Sequence, residues 1–217
     1  MARKARSTRN SGQPPGGVAE RAIAAALRLA ESRGWGEVAL RDIAAEAGLP
    51  FAELYARFRS KQAILNEFSR GIDGKILAGS ESDPPEGSAR DRLFDLVMRR
   101  FDLLQPHREA LRSILRATGR DPLAVACGAR VLARSMATTL EAAGIPAAGL
   151  RGLVRVKGLS AIYLAVLRRW LGDDSDDRAA TMALLDKLLT RAESGLAMLR
   201  CKKSRADDGE AVAASPE

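Results

Sequence analysis

The chain has 217 residues, 46% of them apolar and 29% charged, enough to bury one large helical domain or a small head joined to a larger body. Aromatics are only 4%, whereas Ala, Leu and Arg, which cost least inside a helix, are abundant; the net charge of +8 and pI near 10.1 suit an acidic partner, nucleic acid or an anionic membrane face, and equally a genome that writes Arg for Lys. Two distant cysteines, Cys127 and Cys201, exclude a disulfide scaffold and a zinc site and point to a reducing cytoplasm.

Residues 1–17 are rich in Gly and Pro and carry Arg3, Lys4, Arg6 and Arg9 without an acid. This basic arm is expected to be disordered, and it lacks the apolar centre of a secretory signal. From Val18 a helical period begins: Ile23, Ala26, Leu27 and Ala30 share a face, and Gly34 stops the run. Leu40, Ile43, Ala44 and Ala47 repeat the spacing in a short second helix ended by Gly48. A third short helix carries Leu54, Tyr55 and Phe58. Ser60 reads as the N-cap of a longer fourth helix with Ile64, Leu65, Phe68, Ile72 and Ile76 inward.

GSESDPPEGS, residues 79–88, reads as a linker or tight loop. Beyond it only helices are predicted. One spans about Ser88 to Leu104, a short one follows Pro106, and another begins at Asp121-Pro122 with a cap and an N1 proline. After Gly144-Ile145-Pro146 a long apolar helix runs through Leu153, Leu159, Ile162, Tyr163, Val166 and Trp170. A last helix carries Met182, Leu185, Leu188, Leu189, Leu196 and Leu199, and from Lys202 the tail is polar. No alternating strand and no membrane-length apolar run of about 18 residues occurs. The expected divisions are a basic arm at 1–17, a three-helix head with the helix that follows it at 18–78, a helical body at 88–200 and a disordered tail at 201–217.

The second and third helices, joined by a turn containing Gly48, have the build of a helix-turn-helix. The run from Ala19 to Leu65 resembles the head of the TetR family through Gly34-Trp35, Leu40-Arg41-Asp42-Ile43-Ala44, Ala47-Gly48-Leu49, Leu54-Tyr55, Phe58 and Ser60-Lys61. The resemblance implies an all-α fold: a three-helix head that places its third helix in the major groove, and a bundle that binds ligand and dimerises. It implies that Tyr55 and Lys61 reach phosphates and that Arg41 faces the backbone or a base. The reading positions are Phe51, Ala52, Glu53, Ala56 and Arg57. Among these only Arg57 is a strong donor to base edges; Phe51 and Ala52 suit thymine methyls, and Glu53 accepts only from cytosine. Ala39 and Pro50 stand where the family has capping hydroxyls. The basic arm adds salt-dependent phosphate contacts or remains a solvated terminus.

The body, in Arg90-Asp91-Arg92, Leu104-Gln105-Pro106-His107-Arg108-Glu109-Ala110, Trp170-Leu171 before Asp173-Asp174-Ser175, and Thr181, Ala183 and Leu185-Asp186, is similar to TetR-like lipid-binding accessory proteins of ubiquinone biosynthesis. That likeness implies an alternative function, a lipid-binding accessory protein with a vestigial head. The C-terminus, rich in Ser, Ala and acids, has no apolar face to insert in a membrane.

Phe94, Phe101, Met136, Tyr163 and Trp170 suit a ligand pocket or plain core. Cys127 reads as a buried apolar residue. His107, the single histidine, has no nucleophile or base in register with it, so no catalytic site, cofactor or metal is expected. Asp173, Asp174, Asp176 and Asp177 read as an acidic helix cap rather than a calcium loop. The overall expectation is a cytoplasmic homodimer that binds a double-stranded DNA operator. It would act as a transcriptional repressor modulated by a hydrophobic small molecule, with residues 150–171 and 176–200 forming the dimer interface.

Overall fold

The computed structural model describes residues 17–173, 175 and 178–195. The arm up to residue 16, the tail, Leu196, Leu199, Cys201, Asp174, Asp176 and Asp177 lie outside the described residues. Among those described, all regular structure is helical: α1 (Val18–Ser32), α2 (Leu40–Glu46), α3 (Phe51–Arg57), α4 (Lys61–Ser82), α5 (Ala89–Leu104), α6 (Arg108–Thr118), α7 (Pro122–Ala142), α8 (Gly149–Leu171) and α9, residues 179–195. Short 3₁₀ turns at Trp35–Glu37 and Gln105–His107 lead into α2 and α6.

Two hydrophobic cores form. The first gathers Ala22, Ala26, Leu29, Ile43, Leu54 and Phe58 of α1–α3 and its flanks, with Ile64 from α4 and Ala110 and Ile114 from α6. The second joins Ile72 and Ile76 of α4 to α5, α7, α8 and α9 through Leu96, Phe101, Met136, Val166, Trp170 and Leu185. Thus α4 serves both cores, its first half closing one and its second half the other. Phe68, between the two halves, packs against each. The first core also draws on α6, beyond the stretch the sequence assigns to the head.

Helix ends follow local chemistry. Ser60 caps α4 by accepting from Ala63 N at 3.2 Å, Ser88 and Asp91 form a reciprocal capping box on α5, and Asp121 accepts from Leu123 N and Ala124 N at the start of α7. The linker expected at 79–88 is shorter than its composition suggests. Helix α4 continues through Gly79-Ser80 to Ser82, because Ser80 and Ser82 turn their hydroxyls onto carbonyls one turn back and the apolar register of α4 holds to Ile76. The chain leaves helix only at Asp83–Ser88.

Cys127 corrects another expectation: it is exposed. It lies on the front half of α7, where Leu123 and Val125 are also open to solvent. By length and composition α7 is apolar enough to cross a membrane, although Arg130 and Arg134 interrupt it.

Charges on the buried faces bind the body together. Arg100 of α5 donates to Asp73 Oδ1 of α4, and Ser135 Oγ of α7 donates to the same oxygen at 2.7 Å. The Arg100 guanidinium also lies 5.8 Å from the centroid of Tyr163 on α8. Three helices therefore meet at one carboxylate, and Tyr163 sets α8 against the arginine that binds it. Burial pushes the Tyr163 phenol up, so it stays neutral beside this pair. Asp173, almost wholly buried, accepts from Thr181 N at 3.0 Å, Thr181 Oγ1 at 2.6 Å and Ser175 Oγ at 2.6 Å. It thereby ties the end of α8 to the start of α9, as the reading of an acidic cap expects. Hydrogen bonds from Ser175 and Thr181 hold its carboxyl at about 2.

Replacing Arg100 by Leu strands the Asp73 carboxylate among packed helices and should cost about 3–5 kcal/mol in a denaturant titration. The double change Asp73→Leu with Arg100→Leu should recover much of that loss, because no lone charge remains. For Asp173 the folded pKa lies below the roughly 3.9 of an unfolded aspartate. Its stabilisation is whole above that value and drains away as pH falls through about 2. The gap in melting temperature between wild type and Asp173→Asn should hold steady from neutral pH to about pH 5 and close below about pH 4.

Candidate DNA-binding face and body cavity

Between α2 and α3 the chain makes a Schellman turn. Gly48, with φ +61°, takes the left-handed conformation expected of it; its N–H bonds Ala45 O at 3.0 Å and the N–H of Leu49 bonds Ala44 O at 2.9 Å. Beneath this turn lies Arg21, which the sequence analysis passed over. Its side chain is buried and donates through Nε and Nη2 to Ala47 O (3.1 and 2.7 Å) and through Nη2 to Gly48 O (2.7 Å). A cation is thus fixed at the negative end of α2, where it satisfies carbonyls that the helix leaves open. Its position in the sequence carried a signal, since Arg21, Ala25 and Leu29 follow at i, i+4, i+8 along the apolar stripe of α1.

At the other end of α2, Ala39 has no hydroxyl to cap with, as the sequence indicates. Half of the cap survives, because the Asp42 carboxylate accepts the Ala39 N–H at 2.7 Å. Pro50 begins α3 with an extended backbone and no side-chain cap.

The residues singled out on the head do not behave alike. Arg41, Phe51 and Tyr55 come together on the surface: the Arg41 guanidinium lies 5.1 Å from the Phe51 ring centroid, and Phe51 and Tyr55 are 5.7 Å apart. Both aromatics stand substantially in solvent, at 37% and 48% exposed, while Leu54 beside them is wholly buried. Ala52 and Glu53 are exposed on the first turn of α3. Arg57 is exposed but engaged, donating to Glu67 Oε1 at 3.1 Å, and Glu67 also pairs with Arg70. Lys61 turns inward. Its ammonium donates to the carbonyls of Trp35 (2.9 Å) and Val38 and lies 4.8 Å from the Trp35 ring centroid. Burial pulls its pKa down, and the carboxylates of Asp42 and Glu37 oppose that shift. Here Lys61 braces the turn before α2 instead of projecting outward.

The five candidate pocket residues are placed differently from the cavity. Phe101, Met136, Tyr163 and Trp170 are packed in the body core. Phe101 lies between Tyr163 (5.4 Å, stacked) and Trp170 (5.3 Å, tilted), and Trp170 Nε1 donates to Gln105 Oε1 at 3.1 Å. Phe94 is half-buried against the same core. A largely apolar cavity of about 510 Å³ opens instead among α5, α7, α8 and α9, walled by Leu93, Leu140, Leu159 and Leu189. None of the five lines it. His107 packs edge-on against Phe68 at 5.5 Å where the two cores adjoin, and burial lowers its pKa.

Residues 22–68 match the family model described as bacterial regulatory proteins, tetR family. No curated protein matches the chain. Among solved structures, a TetR transcriptional regulator from Nitrosomonas europaea is similar over 82% of this chain and 99% of its own, at 23% identity and a TM-score of 0.67. A TetR regulator from Rhodococcus sp. RHA1 aligns over 80% and 94% at 19% identity and a TM-score of 0.60. One from Streptomyces coelicolor aligns over 92% and 90% at 19% identity and a TM-score of 0.56. These matches do not support the resemblance of the body to lipid-binding accessory proteins. The chain therefore has the TetR-type fold, and its residues 22–68 carry the family's N-terminal segment.

Proposed function

We propose that the protein is a homodimeric DNA-binding transcriptional regulator, acting as a repressor, whose DNA affinity changes when a hydrophobic small molecule enters the body. The observation that carries this reading is the exposed cluster of Arg41, Phe51 and Tyr55 on a helix-turn-helix whose turn is clamped from beneath by Arg21. A guanidinium for phosphate or guanine, a phenol for phosphate and an aromatic ring for thymine methyls stand on one surface. Glu53 and the Glu67-bound Arg57 make the face selective about what it accepts. An arginine already paired gains from a base only where the new bonds outweigh the old.

The body supports the regulatory half of the proposal. Helix α4 carries the head and is anchored to α5 and α7 through Asp73, so a displacement of those helices moves the head with it. A ligand shifts the population only to the extent that it binds one head arrangement better than the other. The exposed Leu150, Leu153, Val154 and Leu164 of α8 offer the apolar face for a second copy, within the stretch 150–171 expected to dimerise.

The test is binding of the full chain to a duplex spanning its own promoter and to a scrambled duplex across a salt series. A preference for the first should persist at physiological salt. Arg41→Ala should weaken binding and reduce the slope of log affinity against log salt by about 1. Glu67→Gln, which releases Arg57, should tighten binding on both duplexes. Equal binding to the two duplexes that vanishes at physiological salt would sink the proposal.

A further inference from the structure

We infer that the groove between the end of α1 and α6 is a second ligand site, which takes a small molecule carrying a phosphate and hydroxyl groups. The groove holds about 480 Å³ where α6 packs on the head, and it shares no residue with the apolar cavity of the body. One side is the last turn of α1 with the Trp35–Glu37 turn, and the other is α6. Ala30 and Ala117 are short, which leaves room between the two sides.

Helix α6 supplies Arg112, Arg116 and, just beyond its end, Arg120, spaced at i, i+4, i+8 and all lining the groove. Arg33 joins them from the end of α1. Arg112 is engaged, since it pairs with Glu109 and donates to Leu171 O. The guanidinium groups of Arg33, Arg116 and Arg120 meet no carboxylate, carbonyl or ring among the described residues. A cation at a helix end follows from helix polarity, but α1 and α6 both end at this groove, which gathers their cations in one place. Planar guanidinium forks in such a set match the oxygens of a phosphate. Ser113, also in the groove, accepts the Trp35 N–H at 2.9 Å, and its own proton has no acceptor among the described residues. That proton can be donated to the same anion.

The remaining carboxylates decide the rest of the ligand. Glu31 and Glu37 line the groove on the α1 side, where they also act electrostatically on His107 and Lys61. Two carboxylates repel a bare polyanion but accept from hydroxyl groups. The phosphate therefore belongs with Arg33, Arg116 and Arg120, and the hydroxyl-bearing end with the two glutamates. A sugar phosphate or a nucleotide has this polarity. Such a molecule ties the turn that leads into α2 to α6, and Arg112 continues the tie to Leu171 at the end of α8.

The probes are AMP and the terminal phosphate ester of ribose, with inorganic phosphate, adenosine and ribose as their parts. Each is titrated calorimetrically into the full chain at constant ionic strength. At least one phosphorylated probe should bind about tenfold or more tighter than either of its parts, and raise the melting temperature. Arg116→Gln with Arg120→Gln should weaken that binding about tenfold or more, because two charge-assisted hydrogen bonds are lost. Arg130→Gln with Arg134→Gln removes equal charge from the exposed side of α7 and should leave binding within about twofold of wild type. Glu31→Gln with Glu37→Gln lifts the repulsion and weakens the hydroxyl contacts, so the preference for the phosphorylated probe over inorganic phosphate should narrow about threefold or more. Three results would overturn this assignment of the groove: neither phosphorylated probe binding tighter than inorganic phosphate, the α7 variant losing as much as the Arg116 and Arg120 variant, or an unchanged preference after loss of the glutamates. A smaller salt slope for promoter DNA in the Arg116 and Arg120 variant would make the groove a seat for the DNA backbone, and would overturn the small-molecule assignment as well.

Discussion

The carboxylate of Asp73 is the point on which the arrangement of the two cores depends. It sits on α4, the helix both cores share, and receives Arg100 from α5 and the hydroxyl of Ser135 from α7. Buried ion pairs contribute little to net stability against a well-packed apolar alternative, but a lone buried charge is strongly destabilising. The pair therefore acts less as a source of stability than as a constraint on register. Any sliding of α4 by part of a turn would separate the charges, whereas hydrocarbon contacts at Ile72 and Ile76 tolerate small shifts. With α4 fixed in this way, the position of the head relative to the body is fixed too.

The head is organised by cations in a different manner. Arg21 and Lys61 both spend their charge on backbone carbonyls at the edges of α2, and neither is available to a ligand in this arrangement. Two of the cations near the helix-turn-helix thus serve to hold α2 at a set angle. In the reading proposed above, DNA contact falls to Arg41 and its aromatic neighbours, and to Arg57 once it leaves Glu67. The positive charge of the chain divides into a bracing set and a contacting set, which a net charge of +8 does not reveal.

Much of the fold was legible because it is written in local chemistry. The helical periods, the glycine at the turn, the serine at the start of α4 and the Asp-Pro start of α7 each act within a few residues. What escaped was long-range. Arg21, Asp73 and Arg100 stand in or beside apolar registers, which is a readable sign that each has a buried partner, but the partners lie 26 or more positions away. The serines at the end of α4 looked like loop because their composition is that of a loop; inside the helix they bond backward to carbonyls instead. For the binding face, the register of α3 indicated which residues stand outward, and Phe51, Ala52, Glu53, Tyr55 and Arg57 all do. The inward turn of Lys61 follows from carbonyls presented by the Trp35–Glu37 turn, which no spacing rule announces. Aromatic residues of the body were candidates for a cavity because they are large, and size is also what draws them into the packed centre, so the cavity formed where smaller aliphatic residues meet.

The first core takes Ala110 and Ile114 from α6, about 40 residues past Phe68, the last residue of α4 packed on that core. A fragment cut after α4 would carry the whole helix-turn-helix and yet leave the flank of α1 uncovered. Such a head is not a portable module. In recombination between related genes, a crossover between α4 and α6 would join a head to a foreign seat, and only crossovers that keep α1 and α6 of common descent would preserve the packing. Inheritance of the surface that meets the outside of the molecule is thereby bound to inheritance of a helix deep in the other half of the chain.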